Sequence, residues 1–414
     1  MALMLMFLTC SHLFADTLRI DDVYRTAISN TEVMKRSQAR LDQAEERKNQ
    51  ASGAIMPAVS LKANYLEIEP PKAAGGVSNA FTRTNQYSTS INVTQPLFRG
   101  LRDFALYRQT KSTVLLNQYL KDYSKITLYQ SVIAAYYNLL MAQKDLESIR
   151  QLKKYSEERT RELRERVKIG RSRKGELLQS ESQGANALAA EVDAESLVVE
   201  SRASLAFFLN DKTSTEYVLA PEVLPTDLKP MDYYVSLAQD RPDLKAKMTE
   251  VEVSTENISL ARGNHLPNLD LFGNYYLART GILATSNWDV GVTLTMPLFQ
   301  GGVVNAQVRE AVEKKNEIIL NHDETKRMIE RDVTVLYESV SRSLKQLDDL
   351  KKAMKKTEET YRESQRDYRF GLVNNLDVIL SLNSYVETKR SYDRLETQTI
   401  MSYKNLEAVA GVLP

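Results

Sequence analysis

Residues Trp288–Gly302 read WDVGVTLTMPLFQGG, and this stretch decides the fold. Trp288, Val290, Val292 and Leu294 alternate with Asp289, Gly291, Thr293 and Thr295, which predicts a strand with one apolar and one polar face. Pro297 has no N–H to give to a ladder and ends it. Gly301 and Gly302 release the backbone, and a helical pattern then runs from Val303 to about Phe370 with neither Pro nor Gly. At ~1.5 Å per residue such a helix reaches roughly 100 Å. An amphipathic strand flowing into so long a helix is not the layout of an ordinary enzyme.

The same pattern occurs earlier in the chain. Tyr87–Gly100 reads YSTSINVTQPLFRG, with Tyr87, Thr89, Ile91 and Val93 on one face. Pro96-Leu97-Phe98-x-Gly100 is repeated by Pro297-Leu298-Phe299-x-Gly301, and each join precedes a long helical run, stopped by Gly170 and Gly371 at the same offset. Upstream, Pro57, Leu61 and Tyr65 match Pro267, Leu271 and Tyr275. The chain is a tandem duplication, with a first repeat over 16–215 and a second over 216–414.

Hydrophobic residues make up 43% of the chain and charged ones 26%, with a net charge of +1, 15 Gly and 11 Pro in 414 residues. That balance predicts an ordered, mainly helical protein, and no basic stripe points to nucleic acid. Met1–Ala15, MALMLMFLTCSHLFA, is the only strongly apolar run and is too short for a spanning helix. Leu13-x-Ala15 before Asp16 resembles a signal-peptidase site, so residues 1–15 read as a secretory signal. Cys10, the only cysteine, leaves with it; the rival reading makes Cys10 a lipidated N-terminus. With no later helical span, any membrane passage must use strands.

Four strands are expected, at about 57–67, 86–96, 267–277 and 287–297. Each is long enough to cross a bilayer at a tilt. Tyr65, Tyr87, Tyr275, Tyr276 and Trp288 gather near the hairpin ends, where an aromatic girdle sits. A pair of soluble hairpins packed on helices is the alternative, although helices that point away leave little to cover the apolar face. Known membrane barrels have at least about eight strands, so four cannot close alone and the barrel must be shared between copies. Pro70-Pro71 and Gly75-Gly76 mark the loop between the first two strands.

Helical seams step by threes and fours through Ile329, Val333, Leu336, Val340, Leu347, Lys351 and Met354, and through Ala185, Leu188, Val192, Val199 and Ala203. The charged residues between them read as solvated faces. Helical hairpins turn near 170–175 and 371–375, and Asn210–Pro230 forms a Pro-containing connector between the repeats. His12, His265 and His322 lack ligand or triad spacing, and no phosphate-binding Gly-rich motif occurs. No cofactor, metal site or catalytic group is therefore expected, and the chain is not read as an enzyme.

In this order and spacing, the duplication, the two Pro-Leu-Phe-x-Gly joins, Arg241-Pro242-Asp243-Leu244, Leu266-Pro267-Asn268, and Tyr368-x-x-Gly371 followed by Asp377-Val378 resemble the TolC-type outer-membrane efflux channel family. The resemblance covers essentially the whole mature chain. It implies a mainly α protein with transmembrane β: a homotrimer sharing a twelve-stranded outer-membrane β-barrel, continuous with a long periplasmic α-helical barrel. It also implies an exit duct for efflux or type I secretion, with a periplasmic adaptor (membrane fusion protein) and an inner-membrane pump docking at the helical tips.

For the tips, the resemblance implies a gate of Tyr368, Asp377 and Glu176, in which the tyrosine hydroxyl bonds the Glu176 carboxylate. Asp377 would form an acidic ring that favours cations. Equally, Asp377 begins a helix, where an acid suits the dipole, and both roles can hold together. Val373 and Leu380 stand where some members carry an arginine and a second acid, which suggests a hydrophobic constriction. Ile169, Gly170 and Arg171, with Phe370, Gly371 and Leu372, resemble adaptor-docking tips. A soluble periplasmic scaffold or adaptor without a pore is the alternative function, against which the duplicated amphipathic strand pairs argue. Drugs, metal ions and polypeptides all fit such a wall as substrates.

Overall fold

The computed structural model describes residues 17–69, 85–212, 216–220, 222–224, 228–280 and 284–414. The expected signal with Cys10 and His12, the Pro70-Pro71 and Gly75-Gly76 pairs, Pro221 and Pro225 lie outside the described residues. Two compact units divide the chain. One holds Met1–Arg36, Asp122–Arg241 and Lys326–Pro414; the other holds Ser37–Lys121 and Pro242–Thr325. No described helix is long and apolar enough to cross a membrane.

The elements follow the duplication. The first half runs α1 (Ile20–Asn30), α2 (Glu32–Gly53), β1 (Ala58–Glu67), β2 (Asn85–Arg99), α3 (Arg102–Lys168) and α4 (Lys174–Leu209). The second runs α5 (Met231–Ala238), α6 (Pro242–Gly263), β3 (Asn268–Arg279), β4 (Trp288–Thr295), α7 (Val303–Phe370) and α8 (Asn375–Val409). Helix α2 and helix α6 each have 22 residues and each end on glycine. Pro242 opens α6 at a first-turn position, where its missing N–H has no helical partner to lose.

In the first unit, aromatic residues of α3 form the centre. Tyr129, Ile133, Tyr136, Tyr137 and Leu139 are fully buried against Ile20, Val23 and Tyr24 of α1 and Val198 and Leu205 of α4. Their hydroxyls are satisfied locally: Tyr136 donates to the carbonyls of Leu18 (3.0 Å) and Ala220 (3.1 Å), and Tyr137 donates to Glu222 (2.7 Å). Burial, and then Glu222, push the Tyr137 hydroxyl far above its ordinary pKa. Along α7, Ile329, Val333, Val340 and Leu347 are buried, as the heptad spacing predicts. In α4 the seam sits elsewhere. Ala187, Ala194, Val198 and Leu205 carry the packing, while Leu188, Val192 and Val199 are exposed, because small side chains let the helix approach its neighbours.

The second unit contains one antiparallel sheet in the order β1-β2-β3-β4. Leu61 faces Ile91, Ile91 faces Tyr275, and Leu271 faces Val292 across the three ladders. Strand β4 stops before Pro297, as expected. Strand β2 instead runs through Pro96 to Arg99, with an irregularity between Pro96 and Phe98 where proline removes no ladder donor. The apolar face is bare. Val59, Leu61, Tyr65, Trp288, Val290, Val292 and Leu294 are between 58% and 69% exposed, which is not how a soluble hairpin packed on helices behaves.

The opposite face is polar and bonded to itself. Asn92 bonds Asn274, Asn274 donates to Asp289 (2.6 Å), and Tyr276 donates to the other Asp289 oxygen (2.9 Å). Alternation therefore places Tyr276 opposite Tyr275, on the polar face and apart from the apolar-face aromatics with which the sequence pattern grouped it.

Candidate functional site

Both helical hairpins close in the same way. Gly170 (φ +69°) and Gly371 (φ +76°) take the left-handed conformation that favours glycine. The N–H of Arg171 returns to the carbonyl of Arg166 (2.8 Å), and that of Leu372 to Asp367 (3.0 Å), satisfying carbonyls at each helix end. Asn374 then caps α8. Its side chain accepts from the N–H groups of Leu376 (2.7 Å) and Asp377 (3.2 Å), and Asp377 accepts the Asn374 N–H in return (3.1 Å). Asp377 is thus the acid of a capping box.

A small core ties the hairpins together. Leu163 of α3, Tyr361 and Tyr368 of α7, and Val378, Leu382 and Val386 of α8 are buried, with Leu177 of α4 packed beside them. Tyr361 stacks on Tyr385 with ring centroids 6.3 Å apart, and burial pushes its hydroxyl up to about 12. Val373 packs against this core, whereas Leu380 is 57% exposed. Asp377 and Leu380, three residues apart, lie on one exposed face of α8.

The Tyr368 hydroxyl makes no bond to Glu176 in the chain. The Glu176 carboxylate accepts from Ser172, while the face of the Tyr368 ring carries Arg159, 3.6 Å from its centroid, and Arg166 at 5.0 Å. Arg159 Nε donates to Asn375 (2.8 Å), its Nη1 to Glu162 (2.7 Å), and Glu162 also pairs with Arg166 (2.8 Å). Asn375, fully buried, donates to the backbone carbonyl of Glu176 (3.3 Å). One guanidinium therefore links α3, α7 and α8, and an amide carries the link to α4. Tyr368 and Glu176 are joined through Arg159 and Asn375 rather than directly.

Neither Arg159, in α3, nor Asn375, at the end of the second hairpin turn, is among the candidate site residues of the sequence analysis. The available signal was spacing: Ser156, Arg159, Leu163 and Arg166 recur by threes and fours on one face of α3. At the outer ends, Ile169 (66%), Phe370 (74%) and Leu372 (74%) are exposed apolar residues at the turns beside Gly170, Arg171 and Gly371. No group of three potential metal ligands occurs among the described residues.

The profile of the family "Outer membrane efflux protein" matches residues 23–211 and 233–412. The chain belongs to that family. This efflux protein is 22% identical over 410 residues to outer membrane protein TolC of Escherichia coli (strain K12), covering 94% of this chain and 82% of that one. It is 20% identical over 417 residues to the proteases secretion protein PrtF of Dickeya chrysanthemi, covering 96% and 89%. Its fold matches the outer membrane protein VceC of Vibrio cholerae with a TM-score of 0.82 at 16% identity, over 95% of this chain and 96% of that one. The efflux protein thus has the fold of outer-membrane channels, helical barrel and β-barrel elements included, and is placed in the outer membrane.

Proposed function

We propose that this efflux protein is the exit duct of a multi-protein export assembly, conducting substrate from the periplasm or an inner-membrane pump to the exterior. One observation carries that reading: a four-stranded sheet with a bare apolar face and two unpaired edges among the described residues. Lipid is the medium such a face suits, and only further strands can satisfy its edges. Three copies would supply twelve strands, within the range of known barrels. The family and the relatives named for secretion support transport rather than catalysis.

The helical tips are the proposed gate. Tyr368, Glu176 and Asp377 belong to it, with Arg159 and Asn375 holding the hairpins together and Leu380 and Val373 as the candidate hydrophobic constriction. Exposed Ile169, Phe370 and Leu372, flanking Gly170, Arg171 and Gly371, offer an apolar surface to a periplasmic adaptor. Tyr65, Tyr87, Tyr275 and Trp288 suit the membrane interface. Residues 1–15 act as the export signal, and the repeats over 16–215 and 216–414 each deliver one hairpin to the barrel.

The test is single-channel recording in a planar bilayer with detergent-purified protein. Discrete conductance steps from a crosslinkable trimer are expected. A detergent-independent monomer that forms no pores would overturn the duct in favour of a soluble scaffold.

A further inference from the structure

Among the described residues, four buried side-chain polar atoms have no hydrogen-bond partner in the chain, and two of them border one cavity. These two are Ser156 Oγ and Arg159 Nη2, three residues apart on one face of α3. The cavity, of about 150 Å³, lies in the hairpin core between α3, α4, α7 and α8. Ser156 is 2% exposed. The Arg159 guanidinium sits over the Tyr368 ring with its Nε taken by Asn375 and its Nη1 by Glu162, so Nη2 is the corner left over. A buried donor without an acceptor is costly, a charged one most of all, and native interiors seldom keep one.

The other walls show which kind of group these donors suit. On the α8 side, Val378, Ile379 and Leu382 offer only hydrocarbon. On the α7 side, Tyr361 accepts from Gln365 (2.5 Å), which leaves its own O–H to donate. Burial pushes the pKa of that hydroxyl up to about 12, so it keeps its proton at neutral pH. Two carboxylates also border the space. Glu162 is engaged by Arg159 and Arg166, and Glu158 is exposed, as is Arg369 at the rim. Three guanidiniums against two carboxylates leave one positive charge unmatched beside a set of buried donors.

We propose that this cavity binds one small inorganic anion, received by Arg159 Nη2, the Ser156 hydroxyl and the Tyr361 hydroxyl. The bond from the guanidinium is charge-assisted and carries most of the affinity. Two of the donors belong to α3 and the third to α7, and Arg159 already reaches α8 through Asn375. The anion therefore completes a polar knot between the two hairpins, and filling it stabilises their packing. Chloride and inorganic phosphate share the required chemistry. The site belongs to the packing of the hairpins and stands whether or not the tip gates a channel.

Thermal melting of the full-length protein in detergent tests the site, with sodium gluconate exchanged stepwise for sodium chloride or sodium phosphate at constant ionic strength. The melting temperature should rise with the logarithm of the anion concentration, as binding to the folded state alone requires. The salt that acts at the lower concentration names the anion. Ser156 has no partner in the chain to lose, so Ser156→Ala keeps the fold and removes one donor to the anion. That variant should need about three- to tenfold more anion for the same rise. No rise over gluconate in either salt leaves the cavity to water and overturns the proposal. The same curve in wild type and Ser156→Ala places the anion elsewhere and overturns it equally.

Discussion

At the scale of single residues, the face of Tyr368 carries Arg159, and no bond joins its hydroxyl to Glu176 within the chain. Tyr368→Phe keeps the ring under Arg159 and is expected to leave channel closure near wild type. Tyr368→Leu and Arg159→Ala each remove a cation–π contact of about 0.5–2 kcal/mol and should raise basal conductance in planar bilayers. Conductance that rises as much in Tyr368→Phe as in Tyr368→Leu would return the closure to the hydroxyl. Tyr368 and its neighbourhood were legible from the motif before Gly371. The identity of its partner was not, because a side chain reaching across from another helix leaves no periodic trace of its own. Asp393 offers a pH test. Burial raises its pKa, outweighing the attraction of Lys389 and Lys144. The native state therefore holds this proton more tightly than the unfolded chain, and ionisation penalises folding at pH above the native pKa. Asp393→Asn should raise the melting temperature at neutral pH. The difference should close as pH falls toward the ordinary aspartate value of about 3.9.

Among the elements, glycine sets where the long helices stop. Gly170 and Gly371 have positive φ and open space around a would-be Cβ, so Gly170→Ala or Gly371→Ala meets backbone strain alone. The cost is roughly 1–2 kcal/mol per protomer, and it should appear as faster trypsin cleavage at Arg171 or Arg369 in the purified protein. These stops were legible because a helical run of that length without Pro or Gly ends visibly when glycine arrives. Strand limits were less so. Pro96 and Pro297 look alike in sequence, yet β2 continues past the first because β3 lies alongside it, whereas β4 has no described neighbour there. The α4 seam was misplaced for a related reason: hydrophobicity marked Leu188, Val192 and Val199, while close packing selected Ala187 and Ala194.

For the whole molecule, the hairpin connections at the end of the sheet away from Pro96 and Pro297 should face the cell exterior. An epitope inserted after Ser286, between β3 and β4, is expected to bind antibody on intact cells, and one inserted at Arg171 is not. Binding only at Arg171 would invert the topology. The central ladder, between β2 and β3, has a further consequence for biogenesis. It joins Ile91 to Tyr275, residues far apart along the chain, so a polypeptide exported N-terminus first emerges with β1 and β2 long before β3 exists. Contacts of such sequence separation form slowly. Through that interval Val59, Leu61 and Tyr65 have neither lipid nor a finished sheet, and both strand edges are open to other chains. A first hairpin waiting for its second is therefore the stage at which this chain is most prone to pair with a wrong strand.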